Sequence, residues 1–322
     1  MKTILVAGAG GFIGGHLVNA LQQEHRVRAV DIKPLNEWYQ RSPQAENRVL
    51  DLRLRENCIA AADGCDAVYN LAADMGGMGF IETHKAACML SVLINTHLLM
   101  AAREKGVKRY FFASSACVYN AEKQMDPDNP GLRESDAYPA MAEDGYGWEK
   151  LFSERMCRHF MEDFGLVTRV ARFHNVYGPF GTWTGGREKA PAAICRKVIE
   201  AKLGGSRTIS IWGDGRQTRS FMYIDDGVKG IVDIMNSGIE EPINLGSSEM
   251  VSINRLVDIV EDIAGVRLER QYDLNAPKGV RGRNSENTLI RKTLGWEPSI
   301  PLRQGLEKTY AWILRQMTEG RA

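Results

Sequence analysis

Residues 3–14, TILVAGAGGFIG, decide the fold of this chain. The first five are a short apolar run, which is typical of a strand buried on both faces of a sheet. Gly8, Gly11 and Gly14 follow, and the segment 12–21 has the apolar spacing of a helix. Glycines at such a turn let the backbone bend tightly and approach a pyrophosphate at the helix N-terminus. We therefore predict that a dinucleotide is bound here, by Gly8, Gly11, Phe12, Ile13 and Gly14.

The next strand pattern ends in an acidic residue. The segment RVRAVD ends at Asp31, twenty residues past Gly11. A carboxylate at that position can accept hydrogen bonds from both hydroxyls of an adenosine ribose, and it would repel the 2′-phosphate of NADP. An aspartate that merely caps a turn is the alternative. The pattern favours NAD over NADP as the cofactor.

Strand and helix patterns continue to alternate through the first half of the chain. The strand pattern RVL leads to Asp51, and a strand at 67–73 is followed by a helix around 87–104 and a strand at 109–114. This alternation predicts an α/β fold with a Rossmann doubly wound parallel sheet, whose ligand lies at the carboxyl ends of the strands.

A serine, a tyrosine and a lysine form a possible catalytic group. Tyr146 and Lys150 are four residues apart, so on a helix the ammonium can lie beside the phenol. A nearby cation favours the phenolate of a tyrosine, whose reference pKa is about 10. Ser115 ends the apolar run RYFFASS and could donate a hydrogen bond to the same substrate oxygen. The arrangement resembles the short-chain dehydrogenase/reductase superfamily, in which this tyrosine and lysine also contact the cofactor.

The same resemblance implies further cofactor contacts. In the superfamily's pattern Asp51 lies near the adenine, although a plain loop cap is an equally good interpretation. The NLAA ending of the fourth strand resembles a cofactor-flanking motif, which implies contacts from Leu71, Ala72 and Ala73. The glycine-rich loop 74–85 suits a backbone that lies against a ligand, with a mobile surface loop as the alternative.

Glycine-rich loops in the second half of the chain carry basic residues. Lys189 lies near a predicted helix start, where the helix dipole does not favour a positive charge. Gln217 and Arg219 lie between a turn and a strand, and Arg281 and Arg283 lie in GVRGRNSEN. Arginine is suited to phosphate through its planar charged fork. Each basic residue singly is more often exposed than functional, but their clustering indicates an anionic substrate.

We divide the chain into two lobes. Residues 1–173 form the predicted NAD-binding domain, to which a segment around 212–240 returns. Residues 174–322 form a smaller α/β substrate-binding lobe that ends in an amphipathic helix at 302–317.

Composition gives no indication of a nucleic acid or a membrane partner. The 322 residues include 25% charged residues and carry a formal net charge of +1. No apolar run approaches the roughly 18 residues of a membrane span, and the N-terminus leads directly into a strand without a signal-peptide pattern. Six scattered cysteines lack metal-ligand spacing, so we expect reduced thiols, no metal and a cytoplasmic protein.

Longer motifs across the chain are more specific. The segments ADMGGMGF, SSACVY, RFHNVYGPFGTW, GGREKAPAA, GDGRQTRSF and GVRGRNS together resemble the GDP-mannose 3,5-epimerases, a family of extended short-chain dehydrogenases/reductases. The resemblance implies bound NAD, a GDP-sugar substrate and a homodimer. It also implies that Cys117 and Lys189 are the acid/base pair of epimerisation. Substrate contacts are implied for Gly76, Ser115, Ala116, Cys117, Asn175, Glu188, Lys189, Ala190, Lys197, Gln217, Thr218, Arg219 and Arg283.

The implied reaction converts GDP-mannose to GDP-L-galactose, with GDP-L-gulose as a possible further product. Tyr146 takes the hydroxyl proton during transient oxidation at carbon 4, and the ketone acidifies the hydrogens on carbons 3 and 5. Cys117 and Lys189 can exchange those protons from opposite faces if a cationic site lowers both pKa values. The alternatives are an epimerase or 4-epimerase for another nucleotide sugar, such as a GDP-heptose, and a catalytically silent NAD-binding regulatory protein.

Overall fold

The computed structural model describes residues 1–277 and 279–320, and many of its strands and helices follow the apolar and amphipathic patterns of the sequence. The strands are β1 (Thr3–Ala7), β2 (Arg26–Asp31), β3 (Glu46–Val49), β4 (Ala67–Asn70), β5 (Arg109–Ser115), β6 (Val167–Phe173), β7 (Asn175–Tyr177), β8 (Thr208–Trp212), β9 (Thr218–Tyr223), β10 (Ile243–Leu245), β11 (Met250–Ser252), β12 (Glu269–Asp273) and β13 (Gly282–Arg283). The α-helices are α1 (Phe12–Leu21), α2 (Arg55–Ala62), α3 (Met78–Thr83), α4 (Lys85–Met89), α5 (Ser91–Glu104), α6 (Tyr146–Phe164), α7 (Ala190–Gly204), α8 (Ile224–Asn236), α9 (Ile253–Ala264), α10 (Thr288–Leu294) and α11 (Leu302–Thr318). Short 3₁₀ helices cover Leu35–Glu37, Ala116–Val118, Ala121–Gln124 and Glu134–Ala137.

The large sheet contains the glycine turn. Its strands are all parallel and lie in the order β10–β6–β5–β4–β1–β2–β3. The direction of winding reverses between β1 and β4, and a reversal of this kind leaves a crevice for a ligand at the carboxyl ends of the strands. The predicted Rossmann doubly wound sheet is confirmed.

Both faces of this sheet are covered, which explains why β1 is apolar and buried from Ile4 to Ala7. Ile4 and Val6 belong to one buried cluster with residues of α1 and α8, whereas Leu5 and Ala7 belong to another with residues of α2 and α5. Successive side chains of a strand point to opposite faces, so a strand between two helical layers buries all of them.

Two strands of the large sheet end earlier than their sequence patterns predict. β3 ends at Val49, before Asp51, and β4 ends at Asn70, before Ala73. The side-chain oxygen of Asn70 accepts a hydrogen bond from the N–H of Ala72 at 3.2 Å, so the chain turns directly after β4. The turn brings the Ala72 backbone against Gly8, where the two strands' loops meet.

The smaller lobe is built around β9. This strand pairs with β7, β11 and β13, while β8 pairs with β12, and α7, α9 and α11 pack together. The segment that returns to the large sheet has different bounds from the expected 212–240. β10 pairs with β6 and α8 packs on the same sheet, whereas β9, which lies inside the expected segment, belongs to the smaller lobe. The division near residue 173 stays a prediction.

The helical stretch Lys85–Glu104 is long and apolar enough to cross a membrane by length and composition, which the sequence patterns did not indicate. α5 within it packs against α2 and α6. Its Asn95 is buried and accepts a hydrogen bond from the Tyr110 hydroxyl of β5 at 2.9 Å. These contacts are typical of a core helix beside a sheet.

Candidate active site

A cavity of about 600 Å³ opens at the carboxyl ends of β1, β4 and β5. Many of the residues predicted to bind NAD are in its lining: Gly8, Gly11, Phe12, Ile13, Gly14, Asp31, Asp51, Leu71, Ala72, Ala73 and Tyr146. Lys150 is the exception, because it is buried outside the described lining.

The glycine turn is shaped for close approach of backbone to a ligand. Gly8 has a φ of +84°, and its N–H donates to the Val30 carbonyl at 2.9 Å. A Cβ at Gly14 would lie 2.1 Å from the Gly8 carbonyl oxygen, so only glycine lets α1 begin this close to β1. The N-terminus of α1 therefore faces the cavity, where the pyrophosphate of a dinucleotide fits.

The two acidic residues predicted at the cofactor differ in their surroundings. The Asp31 carboxylate accepts hydrogen bonds from the N–H groups of Gly10 and Lys33, each at 3.0 Å. A carboxylate has about four lone-pair sites, so Asp31 can still accept from ribose hydroxyls. Asp51 instead pairs with Arg53, with Nη2 and Oδ2 at 2.7 Å, and this hydrogen bonding lowers the pKa of Asp51. A contact of Asp51 with adenine stays a prediction.

Replacement of Asp31 tests the choice of cofactor. Asp31→Ala is expected to weaken NAD binding by about 10- to 100-fold, because hydrogen bonds to a charged group are worth about 1.5–3 kcal/mol. Asp31→Asn is the matched variant: it keeps an oxygen for the turn but loses the charge, so discrimination against NADP should fall. Calorimetric titration of both variants with NAD and NADP measures this. Preferential binding of NADP by the unsubstituted protein would contradict the assignment.

The packing of α6 against the end of β5 brings Ser115, Cys117 and Tyr146 together. A Cβ at Gly147 would lie 2.3 Å from the Cys117 carbonyl oxygen, so glycine lets the helix start against this turn. Cys117 donates its N–H to the Ser115 hydroxyl at 3.2 Å. The Lys150 ammonium lies 5.5 Å from the centroid of the Tyr146 ring and 3.6 Å from Oε2 of Glu149. The predicted grouping of serine, tyrosine and lysine is thus present in space.

Burial is the largest influence on the ionisation of Tyr146. Burial raises the pKa of Tyr146 well above its usual value, and the thiol of Cys117 acts in the same direction. The hydrogen bond with Ser115 lowers the pKa but does not outweigh burial. Burial therefore favours the neutral phenol of Tyr146, and the stabilisation of its phenolate by Lys150 stays a prediction.

Cys117 lies in a cluster of charged side chains. Nη1 of Arg283 contacts the Cys117 sulfur at 3.5 Å, and Nη2 donates to Oε1 of Glu143 at 3.0 Å. Burial and then the Glu143 charge raise the pKa of Cys117 to about 11, while Arg283 opposes them. The condition stated above, a cationic site that lowers this pKa, is not met, because burial and a carboxylate outweigh the guanidinium.

Lys189 reaches the same region from the other lobe. It precedes the first residue of α7, and it lines the cavity. Burial lowers the pKa of Lys189, and Arg283 adds to that effect, while Cys117 and Glu143 oppose it. The direction agrees with the expectation, although burial contributes more than the nearby cation. A lysine with a lowered pKa can act as a base as well as an acid.

The loop after β4 contacts the segment just before Lys189, which belongs to the other lobe. The Gly77 N–H donates to the Arg187 carbonyl at 3.1 Å. A Cβ at Gly77 would lie 2.6 Å from the carbonyl oxygen of Glu188, so the loop after β4 can pack here only through glycine. The glycine-rich loop is thus a backbone contact between the lobes, beside Gly76, which lines the cavity.

The remaining predicted substrate residues lie in or beside β7, β9, β13 and α7, except for Ala116, which follows β5. Asn175 donates to the Ser220 carbonyl at 3.2 Å, Lys197 to Ser210 at 2.8 Å, and Gln217 to Trp212 at 2.9 Å. Glu188, Thr218 and Arg219 also form hydrogen bonds within the protein. Ala116 and Ala190 are the first residues of helices. Their assignment to substrate, like that of Arg283, stays a prediction.

Sequence reasoning missed Glu143 and Gln124. Glu143 lies just before α6, and Gln124 is a fully buried residue whose Oε1 accepts from Nε of Arg283 at 2.6 Å. An acidic residue near YGWEK was the only available signal for Glu143, and nothing in the sequence distinguished Gln124 from a surface glutamine.

Comparison with known proteins defines the class. The model of the NAD dependent epimerase/dehydratase family matches residues 4–246, so the chain belongs to this family. MoeE5, solved with UDP-glucose and NAD, superposes with a TM-score of 0.79 at 29% identity, covering 98% of this chain and 100% of that one. UDP-glucose 4-epimerase of Thermotoga maritima has a TM-score of 0.87 at 24% identity over 98% of this chain and 99% of that chain, which supports the fold. The predicted cofactor, NAD, is confirmed.

Two plant proteins are more similar in sequence. GDP-mannose 3,5-epimerase of Arabidopsis thaliana is 47% identical over 321 residues, which is 99% of this chain and 84% of the plant protein. GDP-mannose 3,5-epimerase 1 of Oryza sativa subsp. japonica is 48% identical over 316 residues, which is 98% and 82% of the two chains. The resemblance stated from the motifs is confirmed.

Proposed function

We propose that this chain catalyses the NAD-dependent epimerisation of GDP-mannose at carbons 3 and 5. The observation that carries the proposal is the convergence of Cys117 and Lys189, from different lobes, on the region of Ser115 and Tyr146. The high identity to two GDP-mannose 3,5-epimerases supports the same substrate. A plain dehydrogenase or 4-epimerase has no need of a second acid/base pair.

The side chains divide the work between carbon 4 and its neighbours. The glycine turn and Asp31 would hold NAD, which would supply reversible hydride acceptance at carbon 4. Tyr146 holds the proton of the carbon 4 hydroxyl, and Ser115 orients the oxygen. The Lys150 ammonium, 5.5 Å from the centroid of the Tyr146 ring, favours the phenolate form of Tyr146 that can accept this proton. Cys117 and Lys189 exchange protons on carbons 3 and 5 from opposite faces of the ring.

Product analysis tests this function. The purified protein is incubated with GDP-mannose and, separately, with other GDP- and UDP-sugars, and products are followed by NMR. Inversion of GDP-mannose at carbons 3 and 5 is expected, with GDP-L-galactose as a product. Conversion of only another nucleotide sugar would favour a related epimerase, and NAD binding without any turnover would favour a regulatory protein.

A homodimer, also part of this proposal, is supported by an apolar surface on α4, α5 and α6. Leu93, Trp148 and Phe152 are exposed on α5 and α6, and Leu90 is exposed between α4 and α5. Phe152→Glu is expected to shift the protein from dimer to monomer in light scattering, because a charge would be buried at the interface. Leu203→Glu, an exposed position on α7, is the matched control and should stay dimeric. A monomeric unsubstituted protein would contradict the proposal.

We also infer a cytoplasmic location. All six cysteines, which lie within the described residues, are buried and unpaired, as is usual where thiols stay reduced.

A further inference from the structure

Glu143 is a largely buried carboxylate that the reaction above does not use. Its side chain is 13% exposed, and Oε1 accepts from Nη2 of Arg283 at 3.0 Å. Its backbone N–H donates to the Cys117 carbonyl at 2.9 Å, and its second carboxylate oxygen, Oε2, is buried without a hydrogen-bond partner among the described residues. The main chain of Glu143 is therefore bonded to that of Cys117, and the two side chains share Arg283 as a neighbour.

Arg283 contacts both the thiol and the carboxylate. Its Nε is fixed by Gln124, whose Nε2 donates in turn to the Tyr119 carbonyl at 3.2 Å. The guanidinium lies 3.5 Å from the Cys117 sulfur and 3.0 Å from Glu143. If a proton moves from sulfur to carboxylate, the negative charge passes between two neighbours of the same cation. The charge therefore stays paired with Arg283 throughout, and the high cost of an unpaired charge in a buried site is avoided.

Glu143 also faces a second cavity. This cavity, of about 490 Å³, is lined by Met78, Lys85 and Asp144 among others, and its described lining includes Glu143 but not Cys117. The carboxylate thus lies between the buried thiol and a space that water can enter. A proton on Glu143 has a route to solvent that the thiol lacks.

We propose that Glu143 is a positioning residue that relays protons between Cys117 and solvent. The inference rests on the proposed function. The thiol S–H bond breaks and an O–H bond forms on Glu143, which leaves Cys117 as a thiolate beside Arg283. The thiolate then accepts the proton from a sugar carbon next to the ketone, and the C–H electron pair stays on the sugar as an enolate. Glu143 releases its proton through the second cavity.

Glu143→Gln tests the relay, because it keeps the shape and an oxygen for Arg283 but cannot take the proton. Two rates are measured against pH: deuterium incorporation at carbons 3 and 5 of GDP-mannose in heavy water, and alkylation of Cys117 by iodoacetamide, located by peptide mass spectrometry. In the variant, the rise of the Cys117 alkylation rate should occur at lower pH, because the negative charge beside the thiol has been removed. Exchange near neutral pH should nevertheless fall by about 10²-fold.

The pH dependence separates a relay from a structural role. Wild-type exchange should vary little around neutral pH, whereas exchange by Glu143→Gln should rise with pH in parallel with alkylation, because solvent must then deprotonate the thiol. Asp144→Asn, an exposed carboxylate lining the same cavity, is the matched control and should behave as wild type. Exchange by Glu143→Gln at the wild-type rate and with the wild-type profile would overturn the relay.

Two further outcomes are decided by the same design. If Glu143→Gln does not fold, Glu143→Asp is used in its place. An exchange rate of Glu143→Asp that varies little with pH supports the relay. An exchange rate that rises with pH in parallel with alkylation overturns it. If the wild-type protein exchanges no protons of any sugar offered, the proposed function fails instead. Alkylation can be measured without a sugar. If the pH midpoint of Cys117 alkylation is the same in Glu143→Gln as in the wild type, that result alone overturns the role of Glu143.

Discussion

Tyr146→Phe is expected to lower turnover by about 10²–10⁴-fold or more while the fold is retained. The ring is 5% exposed and packs in a cluster with Phe80, Ile81, Cys88 and Cys117, and phenylalanine keeps all of that packing. Only the hydroxyl is lost, so the proton of the carbon 4 hydroxyl has no acceptor. The ketone does not form, and deuterium exchange at carbons 3 and 5 should disappear as well. NMR in heavy water and the absorbance of NADH measure the two effects.

Tyr110→Phe is the matched control for this substitution. Tyr110 is also a fully buried tyrosine at the large sheet, and its hydroxyl donates to Asn95 at 2.9 Å, outside the described lining of the cavity. Its loss leaves buried amides short of a partner, so stability should fall by about 1–3 kcal/mol while the turnover of folded protein is kept. Undiminished turnover in Tyr146→Phe would remove Tyr146 from the mechanism.

Cys117→Ala is expected to abolish inversion while transient NADH formation survives. Oxidation at carbon 4 requires Tyr146 and NAD but no thiol, whereas proton exchange at the neighbouring carbons loses one of its two acid/base groups. We expect exchange and inversion to fall by about 10²–10⁴-fold. Lys189→Ala should also block completion of inversion and can leave exchange without inversion at one carbon. An NMR time course of GDP-mannose in heavy water distinguishes these results.

Cys88→Ala provides the same chemical change in the same cluster. Cys88 is fully buried beside Cys117 and Tyr146, but it has no place in the proposed mechanism. Both variants remove a small buried side chain, so a similar loss of stability is expected from each. Loss of inversion only in Cys117→Ala supports the two-residue mechanism. Inversion at the wild-type rate in Cys117→Ala would make the thiol a packing residue.

The sequence by itself determined the dinucleotide half of the site. The turn from β1 to α1 depends on backbone freedom at Gly8 and on close packing at Gly14, and both requirements are local in the chain. Asp31 could be placed because the carboxyl ends of parallel strands meet at one edge of a sheet. Tyr146 and Lys150 could be paired because four residues make about one helical turn. The ends of β3 and β4 were predicted less well, since the side-chain bond of Asn70 decides where the chain turns.

Only the tertiary structure decided how Cys117 ionises and what surrounds it. The residues that set its pKa come from the segment before α6, which supplies Glu143, and from β13, which supplies Arg283. Lys189 joins them from the other lobe, where the loop that precedes it packs against the backbone of Gly77. Electrostatic energies depend on distance and burial, and separation along the chain reveals neither. The sequence could therefore name the thiol and the amine, but the fold determines which of them holds a proton.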